Sequence, residues 1–421
     1  MDYGLLKSVI ADQWALIQSV QISPRAYEFE PNANYVLTGL RRSGKSTLLY
    51  DICQRLVSNG VDWNQIIYIN FEDERLAEFS IQDFNDIVSI QSSLTNNKGY
   101  FFFDEIQNIP GWEKFARRMA DMKERVFITG SNASMLSHEI ESTLGGRYLS
   151  KYIMTYSFRE YLVANGMTIN SNKMYSTKDS GRILGMFELY YTNGGFPESL
   201  MYRSKREYVS SVFQKVLLGD IVTRNKIRNE YANKLLIKKI AESVCGDISY
   251  SKLHNALSEI GIKISKDSVI EYVQYAIQAY LIFPIQNFFS KFSDREGNPK
   301  YYFSDNGLLN LFLYDKPSAL LENVVAVWLA RKFNEIYFIK STKTGIDVDF
   351  YVPQRELAIQ VAYSIQGEAR KREIDNLVKL SQQFSEIRRR IILTKNEHEH
   401  IIENRVEIEV MPVWQFFLEA S

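Results

Sequence analysis

A chain of 421 residues is too long for one ordinary hydrophobic core, so two to four domains are expected. Fifty Lys and Arg balance fifty Asp and Glu, which removes any case from global charge for a nucleic-acid partner and leaves only local basic patches to carry one. No stretch approaches the roughly 20 apolar residues of a membrane helix, and residues 1–15 lack the basic start and apolar core of a secretory signal, so a soluble, non-exported protein is expected.

Short apolar runs at 35–38, 66–71, 100–103, 126–129 and 151–156, separated by helix-length segments, predict five parallel strands joined by crossovers. From 158 to 228 the strand signal vanishes, and apolar residues recur at helical spacing in 158–162 and 209–218, which predicts a small helical domain. Helical patterns at 234–244, 249–260 and 265–280 follow, broken at Gly246 and Gly261, with Ser249 or Ser251 and Ser265 as expected N-caps. The apolar run 281–289, turn chemistry at 293–299 and a returning strand at 300–303 then predict a hairpin. Three helices and a hairpin make a winged helix. The remainder predicts a helix at 323–333, strands at 335–339, 348–352, 357–363 and 390–393, and a helix at 368–383, a second α/β domain. The expected domains are therefore 1–157, 158–229, 230–313 and 314–421. Cys53 and Cys245, far apart and each in an apolar helical pattern, read as buried thiols in a reducing compartment, so the cytoplasm is the expected location.

The strongest motif is Gly39-Leu40-Arg41-Arg42-Ser43-Gly44-Lys45-Ser46-Thr47, which satisfies G-x-x-x-x-G-K-[S/T] between a predicted strand and a helix starting at Ser46. Such a loop wraps backbone N–H groups around phosphates at a helix N-terminus. Gly39, Arg42, Ser43, Gly44, Lys45, Ser46 and Thr47 are the expected nucleotide contacts, with Lys45 bridging the β- and γ-phosphates and the Ser46 hydroxyl on Mg²⁺. Tyr100-Phe101-Phe102-Phe103 reads as a buried strand that delivers Asp104 to the metal and Glu105 to the attacking water as general base. Gly130-Ser131-Asn132 ends the fourth strand and reads either as a γ-phosphate sensor or as an ordinary turn. Arg147, after Gly145-Gly146, reads either as an arginine finger toward a neighbouring subunit or as a solvated side chain.

This order of elements resembles the AAA+ ATPases of bacteria and archaea, and more closely the group whose AAA module precedes a nuclease-like C-terminal domain. The resemblance implies ATP and Mg²⁺ as cofactors, a sheet ordered 5-1-4-3-2, a sensor at Ser131 or Asn132 and a finger at Arg147; nucleotide-dependent homo-oligomers are expected only if Arg147 acts between subunits. It also implies that Gly194-Gly195-Phe196-Pro197 is the lid element that approaches adenine, through Gly195 and Pro197. The same stretch also fits a turn before a helix. A lid arginine at Arg203 or Arg206 stays open.

In a winged helix the third helix, here 265–280, enters the DNA major groove and the hairpin touches phosphates. Lys263, Lys266, Lys291, Arg295 and Lys300 suit that role, whereas Asp267, Glu271 and the apolar later half of the helix suit protein docking. Further on, Glu322, Asp349 and the Gln360-Val361-Ala362 strand resemble the Glu, Asp and Glu-x-Lys pattern of restriction-endonuclease-like enzymes, in which carboxylates surround Mg²⁺. Gln360 stands for the second acid and Ala362 for the lysine, so a degenerate fold kept for binding is expected unless Lys340, Lys343 or Lys371 substitutes in space. His398 and His400 are expected in a solvated loop. The function expected is a Mg-ATP-hydrolysing AAA+ ATPase that drives a conformational change, with DNA the leading partner. A slow-turnover nucleotide switch that docks a protein, and an ATP-dependent nuclease, are the alternatives.

Overall fold

The computed structural model describes residues 1–132, 142–167, 176–291 and 297–419. The chain divides into two compact units, Met1–Met154 with Gln278–Tyr280, and Thr155–Ile277 with Leu281–Ser421.

In the first unit, β1 (Asn34–Thr38), β2 (Ile66–Asn70), β3 (Tyr100–Asp104), β4 (Arg125–Gly130) and β5 (Tyr148–Tyr152) form a parallel sheet in the order β2-β3-β4-β1-β5. This is the expected order read from the opposite edge. The central strands are continuous apolar runs because both faces of the sheet are covered. Phe101 and Phe103 pack with Val36, Ile67 and Ile128 on one face. Phe102 packs with Tyr35, Tyr68 and Phe127 on the other, in the core that also takes Leu48, Leu49 and Ile52 of the helix Lys45–Ser58. The Phe102 and Phe127 rings stack at 5.0 Å. Each such buried ring contributes about 1.5–3 kcal/mol, which fixes the register that carries Asp104 to the strand's end. The fifth strand lies about three residues earlier than its apolar run predicts. It is an edge strand, with Leu149 exposed, while Ile153 and Met154 are buried beyond its end.

The second unit opens with helices Phe158–Ala164, Thr177–Asn193 and Lys205–Lys215, the last continued by a π-helical segment, Val216–Thr223. Helices Glu230–Glu242, Tyr250–Glu259 and Lys266–Gln278 follow, and the Ser249 and Ser265 hydroxyls accept the Lys252 and Ser268 N–H groups as caps. The hairpin strands β6 (Ile282–Asn287) and β7 (Lys300–Phe303) then pair antiparallel. They do not stand alone. β6 also pairs with β8 (Tyr337–Ser341), and β9 (Ile346–Val352), β10 (Leu357–Val361), β11 (Arg389–Thr394), β12 (Glu399–Glu403) and β13 (Val406–Pro412) complete an eight-stranded mixed sheet, β12-β13-β11-β10-β9-β8-β6-β7. One sheet thus runs across the boundary expected at 313/314. The reason is non-local: Gln286 and Asn287 find Tyr337 and Phe338 some fifty residues on, and no local periodicity encodes that pairing.

His400 lies in β12 opposite Glu409, not in the loop expected for it, because Ile401 packs into the core and draws the segment into a strand. Arg295 lies outside the described residues. No helix among the described residues is long and apolar enough to cross a membrane.

Candidate active site

The loop after β1 turns on Gly39, where φ is 150° and a Cβ would stand 2.2 Å from the Ile153 carbonyl oxygen, so no side chain fits. Gly44 precedes the helix, which opens at Lys45, one residue earlier than expected. Lys45 is buried; its ammonium donates to the carbonyl oxygens of Gly39 and Leu40 at 3.0 and 3.1 Å and stands 4.0 Å from Glu105. Arg25, which no motif marks, is buried beneath the loop. Its guanidinium donates to the Ser43 carbonyl at 2.9 Å and the Met154 carbonyl at 2.7 Å.

β3 delivers the acids. Asp104 is buried and accepts hydrogen bonds from the hydroxyls of Tyr68, at 2.8 Å, Thr129 and Ser46. Burial raises the Asp104 carboxyl above the usual range and the Glu105 charge adds to this, while the three hydroxyls oppose it. Glu105 takes a left-handed backbone conformation, φ 52°, which costs a non-glycine residue on the order of 1–2 kcal/mol. Its N–H donates to Thr129 Oγ1 at 2.9 Å, and its carboxylate accepts the Gln107 amide. Strain of this kind concentrates where a side chain must be aimed.

Ser131 and Asn132 are buried beyond β4, on the strand flanked by those of Asp104 and the phosphate loop. The Ser43 and Ser131 hydroxyls find no partner among the described residues. An unsatisfied buried hydroxyl costs about 1–3 kcal/mol, and such groups persist where ligand chemistry uses them. An ammonium, an anion-cradling loop, an acid bonded to the Ser46 hydroxyl and a second acid beside it fit a metal-bound phosphate. Arg147, in contrast, is held within the chain: it donates to Asp121 at 2.5 Å and to the Leu144 and Gly145 carbonyls.

A family model described as an AAA domain matches residues 31–162, and one described as a domain of unknown function matches residues 185–318. An uncharacterized protein of Methanocaldococcus jannaschii is 30% identical, with 98% of this chain and 95% of that protein covered. The chain belongs to that protein's family. An uncharacterized protein of Haemophilus influenzae is 29% identical, with 90% and 93% covered. Among solved structures, the Walker-type ATPase of Pyrococcus abyssi is 13% identical and covers 66% of this chain and 90% of its own, with a TM-score of 0.41. The Aeropyrum pernix Orc1 protein, solved in complex with DNA, is 16% identical, with 77% and 93% covered and a TM-score of 0.29. Neither score is high enough to bear on function. The AAA domain of this family protein has the P-loop architecture that its matched model implies.

In the second unit, Gly195 and Pro197 are organised by a residue that sequence reasoning missed. Asp305 is buried and accepts from the Gly195 N–H, the Gly307 N–H and the Thr155 hydroxyl, each at 2.8 Å. Burial pushes its carboxyl up to about 6 against those donors. A Cβ on Gly195 would stand 2.3 Å from the Tyr156 carbonyl, and Pro197 opens the short turn Pro197–Met201.

The same unit carries a cleft of about 420 Å³ bordered by Glu322, Asp349, Gln360, Glu373 and the half-buried Cys245. No candidate lysine enters it as expected: Lys340 pairs with Asp247, and Lys343 and Lys371 are exposed. Lys300 of β7 instead reaches two of its lining acids from behind the cleft wall, with its ammonium 3.4 Å from Glu322 and 3.3 Å from Asp349. Burial opposes its charge, but Glu322 and Asp349 outweigh burial and hold the ammonium well above the usual lysine range. Lys300 is therefore not a phosphate-contacting residue of a wing, the role its position in the hairpin suggests. It is only 2% exposed.

Proposed function

We propose that this AAA protein binds and hydrolyses Mg-ATP and couples the nucleotide state to a conformational change. The observation that carries the reading is the convergence of the Lys45 ammonium, the Ser46 hydroxyl and the Asp104 and Glu105 carboxylates at the end of β3. Gly39, Arg42, Ser43, Gly44 and Thr47 shape the phosphate cradle, and Lys45 offsets charge on the β- and γ-phosphates. Ser46 and Asp104 would hold Mg²⁺, which supplies further neutralisation of the phosphoryl oxygens. Glu105 accepts the proton of the attacking water, and Gln107 orients it. Ser131 and Asn132 report the γ-phosphate from the next strand. Arg147 acts across a subunit contact once released from Asp121, which makes assembly nucleotide-dependent.

DNA is the partner proposed for the second unit, on the exposed Lys263 and Lys266 at the start of the helix Lys266–Gln278. A steady-state ATPase assay with and without duplex DNA tests both statements. Turnover that DNA stimulates, and that Glu105→Gln lowers by about 10²–10⁴-fold while nucleotide binding persists, is the expected result. Retained binding with negligible turnover under all conditions would replace the motor by a nucleotide-gated switch that docks a protein. One feature favours that second reading: Glu105 is already engaged by Gln107 and by Lys45.

A further inference from the structure

The cleft of the second unit has the carboxylates of a hard-cation site but the wrong hydrogen-bond polarity for one. A divalent cation requires oxygen lone pairs directed at it. Here donors already point at the acids. Asp349 Oδ1 faces the Lys300 ammonium, and Asp349 Oδ2 accepts the Val361 N–H at 2.9 Å. Glu322 Oε1 accepts the Tyr302 hydroxyl at 2.7 Å and faces the same ammonium. Glu373 accepts Arg372 on one oxygen and the Gln360 amide on the other. Gln360 is fixed the same way round by its own contacts: its oxygen accepts the Asp349 N–H at 2.8 Å, so its amide nitrogen must face Glu373.

We propose that Lys300 is a built-in cation that takes the place of a metal between Glu322 and Asp349, closing the centre to divalent ions and to metal-dependent phosphodiester cleavage. Three separate elements meet there: β7 brings the ammonium, the helix Pro317–Lys332 brings Glu322, and β9 brings Asp349. The ion pair clamps hairpin, helix and sheet, as a structural metal clamps loops. The second unit then acts on a partner by binding it, not by cutting it. Removing the ammonium leaves two buried carboxylates facing each other, which is the condition under which a divalent cation is drawn in.

The test uses the full chain without nucleotide. Mn²⁺ binding is followed by electron paramagnetic resonance and by the cation dependence of the melting temperature. The wild-type protein is expected to show no Mn²⁺-dependent shift. Lys300→Met, which keeps the side-chain length without the charge, is expected to melt lower and to regain stability with Mn²⁺, an effect lost in Lys300→Met/Asp349→Asn. Mn²⁺ uptake by wild type that Asp349→Asn removes, or plasmid cleavage in Mg²⁺ that Asp349→Ala removes, overturns the proposal. So does a Lys300→Met protein that melts like wild type. Should Lys300→Met not fold, the wild-type titration against Asp349→Asn decides alone.

Discussion

Two of the buried lysines, Lys45 and Lys300, are held in different ways. Lys45 donates to the neutral carbonyl oxygens of Gly39 and Leu40, with the Glu105 carboxylate at 4.0 Å. Lys300 is held by two carboxylates at 3.3 and 3.4 Å. Carbonyl dipoles steer an ammonium without neutralising it, and they place that of Lys45 at the loop expected to receive a triphosphate. Glu322 and Asp349 more than match the charge of Lys300, and burial together with the Glu322 charge raises the Asp349 carboxyl to about 7, so the three groups hold one another as structure. Sequence position does not separate the two cases. The chemistry of the nearest partners does.

The largest expected effect falls on Lys45. Lys45→Ala should lose the ATP-dependent rise in melting temperature and lower turnover by about 10²–10³-fold or more, as removal of a charge-stabilising donor does elsewhere. Its stability without nucleotide should change little by comparison. Lys300→Ala should do the reverse: nucleotide affinity intact in the first unit, but a loss of about 3–5 kcal/mol from chemical denaturation, since removing one partner of a buried pair strands the other. A Lys45→Ala protein that still binds ATP, or a Lys300→Ala protein of unchanged stability, would erase the contrast.

The same contrast explains what was legible in the sequence. The phosphate loop and the Tyr100–Asp104 strand are local: glycine spacing, an apolar run and two acids announce them, whereas the strand order is what the family resemblance implies. Ser249 and Ser265 as caps were equally local. What escaped is whatever the fold assembles from distant segments. Lys300 reaches Asp349 across forty-nine positions, and Asp305 reaches Gly195 across one hundred and ten. The expected substitutes, Lys340, Lys343 and Lys371, flank Asp349 and Ala362 along the chain, whereas charge compensation is settled across the sheet. Arg25 left no signal, since an arginine that supports a loop from beneath differs in nothing from a solvated one until burial is known.

Asp305 sharpens the comparison from the anionic side. It is a buried acid that accepts from N–H and O–H dipoles, as Lys45 donates to carbonyl dipoles. Its carboxyl is raised from an unfolded value near 3.9 to about 6, so the folded state binds its proton more tightly than the unfolded chain. The stability this confers is fully present below about pH 4 and is lost as pH rises through about 6, a change on the order of 2–3 kcal/mol. Asp305→Asn cannot titrate, and its NH₂ group opposes either the Gly195 or the Gly307 N–H group, which bond to different oxygens of the carboxylate. The gap in unfolding free energy between wild type and variant should therefore be widest near pH 4 and narrow toward pH 7. Denaturant melts at several pH values measure it, and a gap independent of pH would mean that Asp305 is ionised throughout.

The smallest effect belongs to a third kind of cation. Arg147 pairs with Asp121 at the surface, where the partners are 32% and 51% exposed and such pairs contribute roughly 0–1 kcal/mol. Asp121→Ala should thus leave the melting temperature nearly unchanged. A weak pair is what a residue destined for another subunit requires, because the contact must break whenever a better anion is offered. If Arg147 reaches a neighbour's nucleotide, freeing it should raise the mass in solution at a given concentration of a non-hydrolysable ATP analogue, and Arg147→Ala should abolish that rise. Equal masses for wild type, Asp121→Ala and Arg147→Ala, with and without the analogue, would return Arg147 to the solvated surface. The ranking by compensation would then hold for the two lysines alone.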